Sequence, residues 1–335
     1  MLNDLSTAGP VMLSVVVPMY NEELNVPSFV KRLVNVLNPM QISYEVLLVD
    51  DGSRDATWTE IQKICVHVSH TRGIRLARNF GHQAALLAGL HQAKGRAVIS
   101  MDGDMQHPPE LIPTLVDAWK TGAAVVSTVR TYSGATSLFK KATSALYYRV
   151  FSFLSEVQMA EGQSDFRLLD RSALDHLLSI QQSDLFLRGA VGWLNYPGTV
   201  IPFVAEDRQF GTSSYSLAKM LKFAKGGILA FSTKPLQVGI MLGLGTSSLS
   251  FLYLIYIFIQ YFSGNTVEGW ASTLGFLTLL FGVLFVMLGI IGTYIGRIYI
   301  MLQHRPPYVL DSHTEQSIGK DDKDASGKEY NATGG

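Results

Sequence analysis

The sequence has a single cysteine, Cys65, among 335 residues. No intramolecular disulfide can form, which excludes the disulfide-stapled secreted scaffolds. Charge is also scarce, at 16% against about 25% in an ordinary soluble domain. The 27 basic and 27 acidic residues cancel, so no net field of one sign draws the chain to nucleic acid. Met1 to Met12 has no basic stretch followed by an apolar core. It does not read as a signal peptide, and the N-terminal domain is expected to stay in the cytoplasm.

The charge deficit is concentrated between Pro235 and Met301. Leu236 to Phe262 and Ala271 to Gly296 contain no Asp, Glu, Lys or Arg. Each run exceeds the roughly 20 residues that an α-helix needs to cross the hydrocarbon core. Buried core helices are the other reading, but neither run has a polar face. Lys219, Lys222, Lys225 and Lys234 precede the first span, and Arg297 and Arg305 close the second. The connecting loop, Ser263 to Gly269, carries Glu268 and no basic residue. The positive-inside rule then places both ends in the cytoplasm and the loop outside. Residues 216–234 place lysines at three-residue spacing among Leu217, Met220, Leu221, Phe223 and Ile228. That pattern suits an amphipathic helix on the membrane surface, with an ordinary surface helix as the alternative. The polar tail, 307–335, is expected to be disordered.

Residues 12–215 alternate strand and helix signals behind a short extension, 1–11. Leu13 to Pro18, Tyr44 to Val49, Ile74 to Ala77, Ala97 to Met101 and Ala123 to Val129 read as strands. Asn25 to Leu37, Asp55 to Val66, Gln83 to Ala93 and Pro109 to Lys120 read as helices. A βαβα series of this kind predicts an α/β fold with a mostly parallel sheet, whose ligands bind beyond the carboxyl ends of the strands. The polar motifs stand at those ends. They are Pro18-Met19-Tyr20-Asn21-Glu22, Asp50-Asp51-Gly52-Ser53 and Asp102-Gly103-Asp104-Met105-Gln106. Carboxylates there can accept a base N–H or ribose hydroxyls, and Tyr20 offers a flat face to a base. Two carboxylates around a glycine can hold a hard cation, Mg²⁺ or Mn²⁺, with Gln106 as a further oxygen donor. Taken alone, each motif is also compatible with a capped turn.

In combination the motifs resemble glycosyltransferase family 2 and its GT-A (Rossmann-like) fold. More narrowly they resemble the polyprenyl-phosphate glycosyltransferases, the bactoprenol glucosyltransferases and dolichol-phosphate mannose synthases. The residues that carry the resemblance are those just quoted with Arg78-Asn79-Phe80-Gly81, His107-Pro108-Pro109-Glu110, Ser164-Asp165-Phe166-Arg167-Leu168-Leu169, Arg188-Gly189, Trp193 and the stretch from Arg208 to Tyr215. Transmembrane helices over 235–262 and 270–301 fit the bactoprenol branch. The resemblance implies that Pro18, Tyr20, Glu22, Asp51 and Asp102 line a nucleoside pocket. It implies a metal and diphosphate site at Asp102, Asp104 and Gln106, with Asp104 and Asp165 in the catalytic set. Arg130 and Arg208, assisted by Lys140 and Lys141, would grip phosphate. Where relatives often carry lysine, this chain has His82 and Ser214.

The expected reaction is the inverting transfer of a hexose, glucose first, from a nucleoside diphosphate sugar such as UDP-glucose to undecaprenyl or dolichyl phosphate. Mannose, an N-acetylhexosamine or an aminopentose are alternative sugars. A polysaccharide-type synthase is weakened by the missing Gln-x-x-Arg-Trp segment and by only two spans. The expected partners are the sugar nucleotide, the lipid phosphate and the bilayer, with a homo-oligomer open because two short spans could pack between protomers. A phosphate monoester has its second pKa near 6 and is already largely ionised at neutral pH. Asp165 could therefore orient the reactants as readily as act as a base, or simply pair with Arg167.

Overall fold

The computed structural model describes residues 11–131, 162–180, 186–204, 233–264 and 269–314. The chain divides into two compact units. One comprises Met1–Val116, Glu206–Phe210 and Tyr308–Gly335, and the other comprises Asp117–Ala205 and Gly211–Pro307.

The first unit is built on strands β1 (Leu13–Met19), β2 (Tyr44–Asp50), β3 (Thr71–Leu76) and β4 (Ala97–Ser100). β1 pairs in parallel with both β2 and β4, and β2 pairs in parallel with β3. Every residue of β1 is buried, as is β2 apart from its first residue. Such strands are covered on both faces, which is why they read as unbroken apolar runs and not as alternating ones. Helices α1 (Val26–Leu37), α2 (Thr57–His67) and α3 (His82–Gln92) connect them. In α1 the buried residues are Val26, Phe29, Val30, Leu33 and Leu37, one stripe at helical spacing. This is the expected GT-A type of α/β layering.

The second unit contains the end of α4 (Ile112–Lys120), strands β5 (Val125–Thr131), β6 (Gln163–Asp170) and β7 (Gly198–Val204), and helices α5 (Arg171–Leu178) and α6 (Leu187–Leu194). β5 is central, antiparallel to β6 and parallel to β7. Asp170 caps α5 by accepting the Ser172 N–H at 3.0 Å, and its other oxygen accepts Trp119 Nε1–H at 2.8 Å.

The apolar runs form α7 (Lys234–Phe262) and α8 (Trp270–Leu302). At 1.5 Å per residue they are about 43 and 50 Å long, more than the roughly 30 Å hydrocarbon core. Their large apolar side chains, such as Phe251, Leu252, Phe285 and Val286, are exposed along the length, which is not how core helices are packed. The hydroxyls of Thr246, Ser250, Thr278 and Thr293 bond back to carbonyls four residues earlier. No polar group of these side chains therefore needs a partner from solvent. The helices run antiparallel, with Gly243 against Met287 and Tyr253 against Phe276 at 5.1 Å between ring centroids.

Disorder from residue 307 does not hold for the start of the tail. Leu310–His313 forms β8, antiparallel to β3 at the edge of the first unit's sheet. Ala77 N–H donates to Val309 O at 2.9 Å and Gly73 N–H to Thr314 Oγ1 at 2.8 Å. The unpaired edge of β3 supplies the hydrogen-bonding row that orders this polar segment. Residues 315–335, and the expected amphipathic helix up to residue 232, lie outside the described residues.

Candidate functional site

Parallel pairing brings the carboxyl ends of β4, β1 and β2 to one edge of the first unit. Pro18 is buried within β1 opposite Val49, and the strand ends at Met19 opposite Asp50. Tyr20 follows, 40% exposed. Asn21 has φ of 54°, a left-handed conformation that costs a non-glycine residue of order 1 kcal/mol. It is held there on both sides: its N–H donates to Ser53 Oγ at 3.0 Å, and its Oδ1 accepts the Arg54 N–H at 3.0 Å. Glu22 N–H donates to Thr57 Oγ1 at 2.8 Å, while its carboxylate accepts from Asn25 Nδ2. The ends of β1 and β2 are thus tied together by side-chain to backbone bonds.

Asp51 is buried, and both of its oxygens accept backbone N–H groups, from Phe80 at 2.7 Å and from Gly81 at 2.9 Å. Burial pushes its carboxyl above the usual carboxylate range, with these two N–H donors pulling the other way. Gly52 has φ of 62°, and a Cβ there would lie 2.4 Å from the Arg78 carbonyl carbon. Only glycine lets the two loops approach so closely. The Arg78 guanidinium stacks over the Phe80 ring at 4.2 Å. Asp51 therefore acts first as a clamp on the loop from Arg78 to Gly81, a role the motif did not suggest.

The acidic loop after β4 is built differently. Gly103 lies against Met19, where a Cβ would meet the sulfur. Asp104 Oδ1 accepts the Gln106 N–H at 3.1 Å, and Met105 is left-handed with φ of 67°. Asp102 N–H donates to His107 Nδ1 at 2.9 Å, so the proton of that buried ring is on Nε2. The Asp102 carboxylate is 31% exposed, with His82 Nε2 at 3.3 Å from one oxygen and His107 Nδ1 at 3.7 Å from the other. Among the described residues no three His, Cys, Asp or Glu side chains are gathered into a cage. An Mg²⁺-type ion needs only one or two carboxylates when substrate phosphates and water complete its shell. A partly exposed carboxylate on a tight glycine loop supplies this.

The second unit holds Asp165 on β6, 3% exposed. Arg188 on α6 grips it with both arms, Nε to Oδ1 at 2.8 Å and Nη2 to Oδ2 at 2.6 Å. Arg167 adds Nη2 to Oδ1 at 3.0 Å and also reaches Ser164 O at 2.9 Å. The Asp165–Arg167 pair was visible as a near-neighbour possibility in sequence. Arg188 as its bidentate partner was not, since nothing in spacing links residues 23 positions apart. Arg130 stands on β5, half-buried. Arg208, Lys140 and Lys141 lie outside the described residues.

Comparison with known proteins gives a consistent result. The family model described as Glycosyl transferase family 2 matches residues 14–178. The chain is similar to an uncharacterized glycosyltransferase, YkcC, of Bacillus subtilis (strain 168), at 37% identity over 314 residues, covering 93% of this chain and 96% of the relative. It is similar to the bactoprenol glucosyl transferase of Shigella phage SfV at 35% over 307 residues, 91% of this chain and 99% of the relative. A prophage bactoprenol glucosyl transferase homolog of Escherichia coli (strain K12) is 32% identical over 299 residues, 89% of this chain and 98% of the relative.

Proposed function

The chain belongs to glycosyl transferase family 2, and from that membership we propose that it transfers a hexose, glucose first, from a uridine diphosphate sugar to a polyprenyl phosphate in the membrane. One observation carries this reading. The likeness to the phage SfV bactoprenol glucosyl transferase takes in 91% of the chain. It therefore runs well beyond residue 178, where the family model stops, and includes both apolar helices.

The donor is assigned to the strand-end edge of the first unit. Tyr20 presents its ring to the base, and Pro18 and Glu22 shape the pocket. Asp51 acts by holding the Arg78–Gly81 loop in place. Asp102 and Asp104, with Gln106, would hold Mg²⁺ or Mn²⁺. When bound, that ion neutralises the diphosphate and stabilises it as a leaving group.

The acceptor needs no proton removed, because a phosphate monoester is largely dianionic at neutral pH. Its oxygen attacks the anomeric carbon, the bond from that carbon to the diphosphate breaks, and the configuration inverts. Positioning and charge stabilisation supply the rate. Asp165 fits a positioning role, since three guanidinium N–H groups already engage its two oxygens. A base would have to take up a proton against two adjacent cations. Arg130 and Arg208, with Lys140, are assigned to phosphate.

The membrane placement has its own support. β8 follows both long helices in sequence yet completes the sheet of the first unit. If that unit lies on one side of a bilayer, the two helices between its parts cross it together. With lysines before the first helix and arginines at the end of the second, that side is the cytoplasm.

The test is a donor screen with the full chain in membranes containing undecaprenyl phosphate, offering nucleoside diphosphate sugars carrying radiolabelled glucose, mannose, N-acetylhexosamine and aminopentose. Label from UDP-glucose should move into the lipid phase. Label reaching the lipid from another donor only would replace glucose, and label reaching no lipid at all would refute the acceptor.

A further inference from the structure

We infer that His82 is itself a ligand of the divalent cation, binding through Nε2 beside the Asp102 carboxylate. The inference rests on the proposed metal site and specifies its composition: one imidazole nitrogen among oxygen donors.

The geometry leads to this directly. His82 Nε2 stands 3.3 Å from Asp102 Oδ1. In an octahedral shell with bonds of about 2.0–2.2 Å, neighbouring donors are roughly 3 Å apart. The two atoms are thus already spaced almost as cis ligands of one ion. Both side chains reach solvent, His82 at 41% and Asp102 at 31% exposure, so a hydrated ion carrying a diphosphate can arrive at both. His107 touches the same carboxylate but is 1% exposed, and its Nδ1 lone pair is occupied by the Asp102 N–H. Of the two histidines, His82 is the one placed to bind.

His82 is also held in position by the first unit. It is the first residue of α3 and directly follows Gly81, whose φ is 99° and whose N–H is fixed by Asp51. Asp51 therefore positions His82 as well as its own loop. An imidazole donor also moves ion preference away from Mg²⁺, which demands oxygen ligands, and toward transition metals.

The experiment is electron spin-echo envelope modulation on Mn²⁺ bound to the full-length protein in detergent, with and without UDP. The inference predicts nitrogen-14 modulation from a directly bound imidazole. It should change to the nitrogen-15 pattern in protein grown with nitrogen-15 histidine, a readout that needs no variant. In His82→Gln the modulation should vanish while Mn²⁺ still binds, at least tenfold more weakly, and Mg²⁺ binding should fall by less. Bound Mn²⁺ without nitrogen modulation, or modulation that survives in His82→Gln, would overturn the inference and leave the carboxylate site standing. If Mn²⁺ does not bind the wild-type protein even with UDP, the metal site fails, and the inference with it.

Discussion

The two acidic centres of this chain differ in what already surrounds their carboxylates. Asp165 is buried and engaged by three guanidinium N–H groups from Arg167 and Arg188. Asp102 is partly exposed, and among the described residues its carboxylate meets two histidines at 3.3 and 3.7 Å. A motif treats the two as equivalent acids. Their surroundings separate them into a carboxylate that organises protein and a carboxylate that is open to a ligand. The same contrast holds within the strand-end edge, where Asp51 is closed by two backbone N–H groups and Asp102 is not.

Removing each charge in turn separates the two centres most sharply. Asp165→Asn leaves the buried Arg167 and the partly buried Arg188 guanidinium groups short of their anion, and loss of one partner from a buried pair costs about 3–5 kcal/mol. Asp102→Asn should cost under about 1 kcal/mol, as changes at partly exposed sites usually do. Its effect should appear instead in transfer, reduced about 100-fold or more by the lost charge stabilisation. Thermal unfolding in detergent beside a transfer assay reads both. Equal stability of the two variants would erase the distinction.

Gly52→Ala tests the frame around the open centre. The new Cβ meets the Arg78 backbone and the residue is left-handed, so a loss of about 1–3 kcal/mol is expected. Weaker UDP binding should accompany it, because the Arg78–Gly81 loop must move. An unchanged thermal midpoint, with and without UDP, would show that the close approach is not required.

The smallest effect belongs to Glu110, which closes the acidic motif and pairs with Arg32 at 2.7 Å. The Arg32 hydrogen bond holds its carboxyl below the usual range. The stabilisation is therefore fully present above the ordinary Glu pKa of about 4.3 and is lost as pH falls through the lower folded value. With Glu110 53% exposed, Glu110→Gln should cost only about 0.2–1 kcal/mol at neutral pH. The difference from wild type should vanish in acid, as the pH dependence of the midpoint would show.

Much of this arrangement could be read from residues alone. Leu13 to Pro18 and Tyr44 to Val49 were legible as strands because both faces are covered, and the observed strands each extend one residue further. The strand expected from Ile74 begins earlier, at Thr71. Its first residues are not apolar, and pairing with Val46 and Leu47 recruits them. β8 was illegible, because Leu310-Asp311-Ser312-His313 has no strand pattern and becomes a strand only through an edge more than 200 residues away. The acidic loop was legible as a compact motif. The Arg188 clamp on Asp165 and the His82 contact with Asp102 were not, since both arise from tertiary pairing between separate elements.

Hexosyl transfer to a lipid phosphate is tested most directly by a product balance. The purified full chain, in vesicles containing undecaprenyl phosphate, is given UDP-glucose and Mg²⁺, and the lipid extract is weighed by mass spectrometry while UDP is counted. Lipid heavier by one hexose residue is expected, in equal number to the UDP released. UDP released with free glucose and an unchanged lipid would contradict it.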